Sequence, residues 1–205
     1  RSNRSTNGKN TEFYIVYTVV FLLIALFLYL RFYLNGKSLV WSHDGVPQHL
    51  NSLAYYGRYL RGILYTIFVE HRFSIPMWDL HIGYGSDILT TLNYYVIGDP
   101  LTLLAVFCPS SKTEILYEFL IFLRIYLAGI AFSRYCFYHK NSRQATFMGC
   151  MIYIFAGWTI YAAMKHPYFS NPMIYLPLIL MGIDKIYKKE RPYLFIWSVA
   201  VAGLS

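Results

Sequence analysis

The chain has 205 residues, of which 57% are hydrophobic, 20% aromatic and only 14% charged. A soluble domain carries about 25% charged residues, so the composition argues against that class. The net charge of +8 does not indicate nucleic-acid binding, because the basic residues fall in short gaps between apolar segments, as expected for a membrane protein.

The first apolar segment predicts a transmembrane helix over residues 13–34, preceded by a cytoplasmic N-terminus at residues 1–12. Phe13 to Leu30 is a run of 18 residues without a formal charge, and a span takes roughly 17–25 residues. A cleaved signal peptide would have an apolar core of about 7–15 residues followed by a small-residue cleavage site. This segment has neither feature, so we expect an uncleaved helix.

A long segment at residues 35–113 follows, with Gly, Pro, Asp and His throughout. We expect it to be an extracytoplasmic loop. Apolar residues recur at helical spacing from Leu50 to Ile67, which is typical of an amphipathic helix on the membrane surface. A shorter helix is predicted over 88–96. A loop longer than about 60 residues is exempt from the positive-inside rule, so its basic residues do not contradict this topology.

Residues 114–205 predict four further spans, at about 114–137, 145–164, 173–187 and from Tyr193 to the end of the chain. Because the sequence stops within the last predicted helix, we expect it to be the N-terminal part of a longer protein. The basic clusters then lie on the cytoplasmic side; they comprise Arg1, Arg4, Lys9, Arg134, Lys140, Arg143, Lys185, Lys188, Lys189 and Arg191. The predicted fold is an all-α, multi-pass transmembrane helical bundle with amphipathic helices in a long first extracytoplasmic loop.

Asp44 is a carboxylate just outside the predicted membrane, where two readings are open. It precedes Pro47 and the amphipathic helix, so it fits a helix N-cap. It also fits a catalytic carboxylate that acts on a lipid-borne substrate. Asp87 and Asp99 are favoured as caps, whereas no helix is predicted after Asp79, which makes that residue the better functional candidate.

No cofactor is indicated with certainty. The four loop aspartates supply the oxygen ligands that a divalent cation such as Mg or Mn prefers, but no ligand spacing supports such a site. The three cysteines also show neither metal nor disulfide spacing.

Several other side chains are candidates for a site at the outer surface. His43 and His49 flank Asp44, and Lys165 and His166 adjoin each other at the mouth of the predicted third span. Arg124 lies near the middle of the second span, where a charged residue nearly always faces the bundle interior or a watery cavity. Its partner cannot be identified from helical spacing, which leaves a lipid phosphate or a carboxylate in the part of the protein expected beyond Ser205.

Four segments resemble the N-terminal part of bacterial YfhO-type membrane proteins: residues 41–49, 55–61, 98–101 and 166–177. This family is similar to the GT-C glycosyltransferases. The resemblance implies a membrane enzyme of the bacterial cell membrane that moves a sugar from a polyprenyl-phosphate carrier to an extracytoplasmic acceptor such as teichoic acid. The family's acidic residue in the first outer loop is matched by Asp44, which makes Asp44 the candidate catalytic base.

Such chemistry also needs positive charge to stabilise the departing polyprenyl phosphate. The candidate substrate-binding residues are His43, Gln48, His49, Arg58, Arg61, Asp79, Asp99, Arg124, Lys165 and His166. The expected partners are a polyprenyl-phosphate-linked sugar, a cell-envelope polymer and the lipid bilayer, with no nucleic acid. A non-enzymatic lipid or polymer transporter and an assembly scaffold remain alternatives.

Overall fold

A computed structural model describes the backbone of residues 2–205 and the side chains of residues 11–205. Eight α-helices make up most of these residues: α1 Ser2–Leu34, α2 Asn51–Phe68, α3 Ile88–Asn93, α4 Thr113–Tyr138, α5 Arg143–Ile154, α6 Gly157–Lys165, α7 Asn171–Tyr187 and α8 Tyr193–Leu204. A π-helical turn, Gly45–Leu50, leads into α2, and 3-10 turns lie at Thr102–Phe107, Ser110–Lys112 and Pro167–Ser170.

The only strands in this part of the chain are β1 (Trp78–Asp79) and β2 (Ser86–Asp87), which pair antiparallel as a short hairpin. The prediction of an all-α fold is confirmed. The amphipathic helix predicted from Leu50 to Ile67 is present as α2. The helix predicted over 88–96 is present as α3 but ends earlier, at Asn93.

Two helical stretches of the described chain are long and apolar enough to cross a membrane, Thr11–Leu34 and Ser110–Tyr138. The predicted span at 145–164 is interrupted at Phe155 and Ala156, so that α5 and α6 meet at a bend of 44°. They count as a third span if they are taken together. Helix α1 begins at Ser2, earlier than the predicted start at residue 13. The basic residues Arg1, Arg4 and Lys9, predicted to be cytoplasmic, are not among the residues whose side chains the structure describes.

The long helices α1 and α4 pack antiparallel. Near one end of the pair, the Tyr17 hydroxyl donates to the carbonyl of Tyr126 over 2.9 Å. Just beyond the other end of α1, the N–H of Leu39 donates to Oε1 of Glu118 over 2.9 Å. Gly129 permits the close approach, because a Cβ there would lie 2.1 Å from the Tyr17 hydroxyl oxygen.

The basic residues that follow α4 lie at one end of the bundle, where the first apolar stretch, Thr11–Leu34, begins. Arg143 pairs with Glu12 across 3.6 Å. His139 at the end of α4 contacts Asp184 near the end of α7, with 2.9 Å between Nε2 and Oδ2. The loop that contains Asp44 therefore lies at the opposite end, beyond the C-terminus of α1.

Candidate functional site

Asp44 does not cap a helix with its side chain. Its Oδ1 instead accepts a hydrogen bond from Nε2 of Gln48 over 3.0 Å. The Gln48 Oε1 in turn accepts the hydroxyl proton of Tyr95 over 3.0 Å. The side chain of Asp44 remains 37% exposed, so the carboxylate is held in place and is still accessible to a substrate.

Two histidines complete a cluster around this carboxylate. Nε2 of His49 lies 3.1 Å from Nδ1 of His166, although 117 positions separate them in the chain. Nε2 of His166 lies 4.0 Å from Oδ2 of Asp44, which is beyond hydrogen-bonding distance. The N–H of His49 donates to the Asp44 carbonyl over 3.1 Å, and this i→i+5 bond of the π-helical turn keeps the two residues one turn apart. We call Asp44, Gln48, His49 and His166 the outer cluster.

The buried histidine of this pair, His49, has a shifted pKa. Burial lowers the pKa of His49 to about 4; nearby His166 acts in the same direction and Asp44 opposes it. His49 is therefore neutral near pH 7. Its Nδ1 is buried without a hydrogen-bond partner among the described residues, and an N–H left unpaired there would cost about 1–3 kcal/mol. The favoured tautomer of neutral His49 thus donates from Nε2 to Nδ1 of His166, and the other ring nitrogen of His166, Nε2, faces Asp44.

A second polar cluster is buried inside the bundle. One guanidinium nitrogen of Arg124 lies 2.6 Å from Oδ2 of Asp99, and its Nε donates to Oδ1 of Asn171 over 2.9 Å. Nδ2 of Asn171 donates to the same Asp99 oxygen over 3.0 Å. Only 2% of the Arg124 side chain and 4% of the Asp99 side chain are exposed. We call these three residues the inner cluster.

The inner cluster supplies the partner of Arg124 that helical spacing did not reveal. The favoured interpretation of Asp99 as a helix cap was wrong, because the 3-10 turn at Thr102–Phe107 has Leu101 at its N-cap position and no side-chain cap. Oδ1 of Asp99 accepts the N–H of Leu101 over 2.9 Å, and Oδ2 binds the arginine. Asp99 precedes Pro100 in a loop that has no periodic relation to α4, so the pairing left no local signal in the sequence.

Tyr168 lies between the two clusters. Its ring centroid is 5.3 Å from that of the His49 imidazole, and the Arg124 guanidinium carbon lies 5.5 Å from the same ring centroid. The inner cluster therefore supports, through one aromatic ring, the buried histidine of the outer cluster.

The two arginines of α2 differ in their partners. Arg61 donates to the backbone carbonyls of Ala105 over 2.9 Å and of Cys108 over 2.6 Å, which ties α2 to the 3-10 turn at 102–107. Arg58 is exposed and lies 5.9 Å from the Tyr55 ring centroid. The guanidinium of Arg58 is thus accessible to an anion, whereas the guanidinium of Arg61 is already hydrogen-bonded to backbone carbonyls of the loop.

Asp79 and Asp87 lie in the β-hairpin region. Oδ2 of Asp79 accepts the Tyr55 hydroxyl proton over 2.6 Å, and its Oδ1 accepts the N–H of His81 over 2.8 Å. The Tyr55 hydrogen bond, helped by His81, lowers the pKa of Asp79 to about 2. Asp87 accepts the N–H of Thr90 over 2.7 Å, so its predicted role as the cap of a short helix is confirmed.

His43 and Lys165 both contact the indole of Trp41. The His43 ring stacks on it with centroids 5.0 Å apart, and Nζ of Lys165 lies 4.5 Å from the ring centroid. Trp41 also meets His166 edge to face at 5.8 Å. These contacts bring Lys165 and His43 to the border of the outer cluster.

The loop aspartates do not converge on a cation site. Among the residues that the structure describes, no three His, Cys, Asp or Glu side chains are placed to hold a metal ion together.

Sequence reasoning missed Asn171, a member of the inner cluster, and the two tyrosines that contact the clusters, Tyr95 and Tyr168. Tyr168 and Asn171 belong to the run at residues 166–177 that resembles the YfhO-type pattern, so they did carry a signal. Tyr95 follows α3 and carried none.

The comparisons with known proteins identify a family and nothing narrower. No curated protein and no solved structure matches the chain. The family model for the bacterial membrane protein YfhO matches residues 16–203, which is most of the chain. Together with the two apolar spans, this match supports a location in the membrane. The chain belongs to the YfhO family of bacterial membrane proteins.

Proposed function

We propose that this protein is a membrane glycosyltransferase that moves a sugar from a polyprenyl-phosphate carrier to an extracytoplasmic cell-envelope acceptor such as teichoic acid. The observation that carries the proposal is the half-exposed Asp44 carboxylate, held by Gln48 and facing His166 across 4.0 Å. In the proposed topology the N-terminus is cytoplasmic and the outer cluster faces the cell exterior.

In the proposed reaction, Asp44 takes the proton from the acceptor hydroxyl while that oxygen forms a bond to the anomeric carbon of the sugar. The bond between that carbon and the carrier phosphate breaks, and the electron pair leaves with polyprenyl phosphate. A positioned base of this kind contributes about 10²–10⁴-fold to a rate.

A lipid or polymer transporter is the second candidate. The sequence argument for it was the charge of Arg124 deep in the membrane, because intramembrane ions often mark a transport path. In the structure that guanidinium is paired with Asp99 and Asn171 and is almost fully buried, so it no longer favours transport over sugar transfer.

The proposal is tested by sugar transfer in proteoliposomes that contain the full-length protein and a polyprenyl-phosphate sugar. We expect Asp44→Asn to lower the transfer rate by about 10²-fold or more, with normal insertion into the membrane. Glu70→Gln is the matched control: Glu70 is another carboxylate of the outer loop, and it pairs with Arg72 away from the cluster.

Two results would overturn the proposal. Full activity of Asp44→Asn would remove Asp44 as the base. Movement of a labelled lipid headgroup across the bilayer without any transfer of sugar would favour the transporter.

A further inference from the structure

Two cavities adjoin each other along the last turns of α1. The first, of about 500 Å³, lies between the end of α1, the loop at 37–42 and the end of α6. The second, of about 370 Å³, runs back along α1 toward Ala25 and over the facing side of α4. Phe32, Lys37 and Leu39 line both cavities, so the two lie side by side and share these residues as a wall.

The first cavity contains two lysines without a counter-charge. Among the described residues, neither Lys37 nor Lys165 has a carboxylate within ion-pair distance. Lys165 donates to the hydroxyl of Tyr161 over 2.6 Å and lies over the rings of Trp41 and Tyr161. An ammonium group has three donors, so two N–H bonds of Lys165 remain available to an anion.

The second cavity is walled mainly by apolar side chains of the two apolar spans, among them Leu26, Tyr29, Leu30 and Phe122. Glu118 is its one carboxylate, and Oε1 of that group is occupied by the N–H of Leu39. A groove of this kind at membrane depth suits a hydrocarbon chain, because burial of apolar surface is favourable by about 25 cal/mol per Å².

The two cavities together select one class of ligand. A soluble anion would use the lysines and leave the groove empty, whereas a neutral lipid would fill the groove and leave the lysines unpaired. A lipid with a phosphate head satisfies both, because a phosphate monoester carries about −1.5 to −2 charges at pH 7 and three acceptor oxygens.

We infer that these cavities form the carrier-lipid site, with the phosphate between Lys37, Lys165 and the Tyr161 hydroxyl and the isoprenoid chain in the groove along α1. The inference rests on the proposed function for the identity of the lipid. Trp41 forms the wall shared with the outer cluster, since its ring contacts both Lys165 and His166. The departing phosphate would therefore lie across Trp41 from the outer cluster, with positive charge to receive it.

The test is a binding titration of the full-length protein in phosphatidylcholine nanodiscs with polyprenyl monophosphate, followed by tryptophan fluorescence. The signal should come from Trp41 and be lost in Trp41→Phe. We expect Lys37→Ala combined with Lys165→Ala to raise Kd about tenfold or more, because hydrogen bonds to charged groups are among the stronger ones. Lys165→Arg should stay within about threefold of the wild-type Kd, since it keeps the charge.

Lys112→Ala is the matched control, because Lys112 is an exposed lysine at the start of α4 that lines neither cavity. Polyprenol and inorganic phosphate should each bind at least tenfold more weakly than the intact lipid phosphate. A photoreactive group on the isoprenoid chain should label residues 25–33 or 118–122, which checks the groove without any lysine variant.

Equal affinity for polyprenol and polyprenyl phosphate would overturn the headgroup site. Equal affinity for inorganic phosphate, or photolabelling elsewhere, would overturn the groove. An unchanged Kd in the double lysine variant would remove Lys37 and Lys165 from the site. Because binding is measured without sugar transfer, lipid binding without transfer would count against the proposed function and not against this inference.

Discussion

The inner cluster and the outer cluster both contact the ring of Tyr168, yet they differ in how far their polar groups are satisfied. In the inner cluster, Arg124, Asp99 and Asn171 bind one another at 2.6–3.0 Å and are almost completely buried. In the outer cluster, Asp44 and His166 face each other across 4.0 Å and remain partly exposed. A closed network holds the fold in place, whereas an open pair has room for a reacting group.

The difference follows from the cost of burying charge. Removal of one partner of a buried ion pair leaves an uncompensated charge and costs about 3–5 kcal/mol. An exposed carboxylate such as Asp44 is solvated, so its loss costs little stability. Mutations in the inner cluster should therefore act on folding, whereas mutation of Asp44 in the outer cluster should act on chemistry.

The largest expected effect is that of Asp99→Asn. It keeps the size of the side chain but leaves the guanidinium of Arg124 without its counter-charge, so the free energy of unfolding should fall by about 3 kcal/mol or more. Thermal or denaturant unfolding in detergent micelles would measure it. The control is Asp184→Asn, which removes the carboxylate of the exposed pair with His139 and should cost less than about 1 kcal/mol.

A double variant sharpens the same point. Arg124→Gln combined with Asp99→Asn removes both charges, and it should be less destabilised than the sum of the single variants because the two residues are coupled. The inner cluster would not be a coupled network if the changes in unfolding free energy of the single variants simply added in the double variant. Equal destabilisation by Asp99→Asn and Asp184→Asn would contradict it as well.

The next effect concerns His49, the buried member of the outer cluster. Its folded-state pKa of about 4 lies below the value of 6.5 expected when unfolded, so the unfolded chain binds more protons between these values. Acidification from pH 7 to pH 5 should therefore lower the free energy of unfolding by about 2 kcal/mol. Asp79, with a pKa of about 2, contributes only below this window.

The measurement is the unfolding free energy of wild type and His49→Gln at pH 7 and pH 5. The variant should lose most of the pH dependence. His81→Gln is the control, because the His81 side chain is 92% exposed, and it should keep the wild-type dependence. An unchanged slope in His49→Gln would show that the buried imidazole is not the group that titrates.

A smaller effect extends the comparison to the two arginines of α2. Arg61→Ala removes the hydrogen bonds to the carbonyls of Ala105 and Cys108 and should cost about 2 kcal/mol in unfolding free energy. Arg58→Ala should change stability by less than about 0.5 kcal/mol, because its guanidinium is exposed. Equal losses of stability in the two variants would show that the hydrogen bonds of Arg61 do not stabilise the fold more than the exposed Arg58 does.

The sequence predicted the features that depend on local pattern. The apolar runs indicated α1 and α4, the helical spacing from Leu50 to Ile67 indicated α2, and an aspartate before an apolar stretch indicated the Asp87 cap. The position of Arg124 in a span also indicated burial correctly. Each of these signals lies within one helix or one turn of the chain.

The features that were missed depend on contacts across the chain. Asp99 reaches Arg124 from a loop, and His49 reaches His166 across 117 positions. The break between α5 and α6 was missed because residues 145–164 contain no charge and Gly157 alone is a weak signal. Hydrophobic periodicity reports which face of a helix is buried but not which distant loop covers it.

The most direct test measures sugar transfer and unfolding on the same preparations of Asp44→Asn and Asp99→Asn, with transfer expressed per folded molecule. We expect the unfolding free energy of Asp44→Asn to lie within about 0.5 kcal/mol of wild type and its transfer to fall by about 10²-fold or more. We expect Asp99→Asn to lose stability while the molecules that remain folded keep most of their transfer. Normal transfer by folded Asp44→Asn, or a loss of stability in it as large as that of Asp99→Asn, would contradict the account.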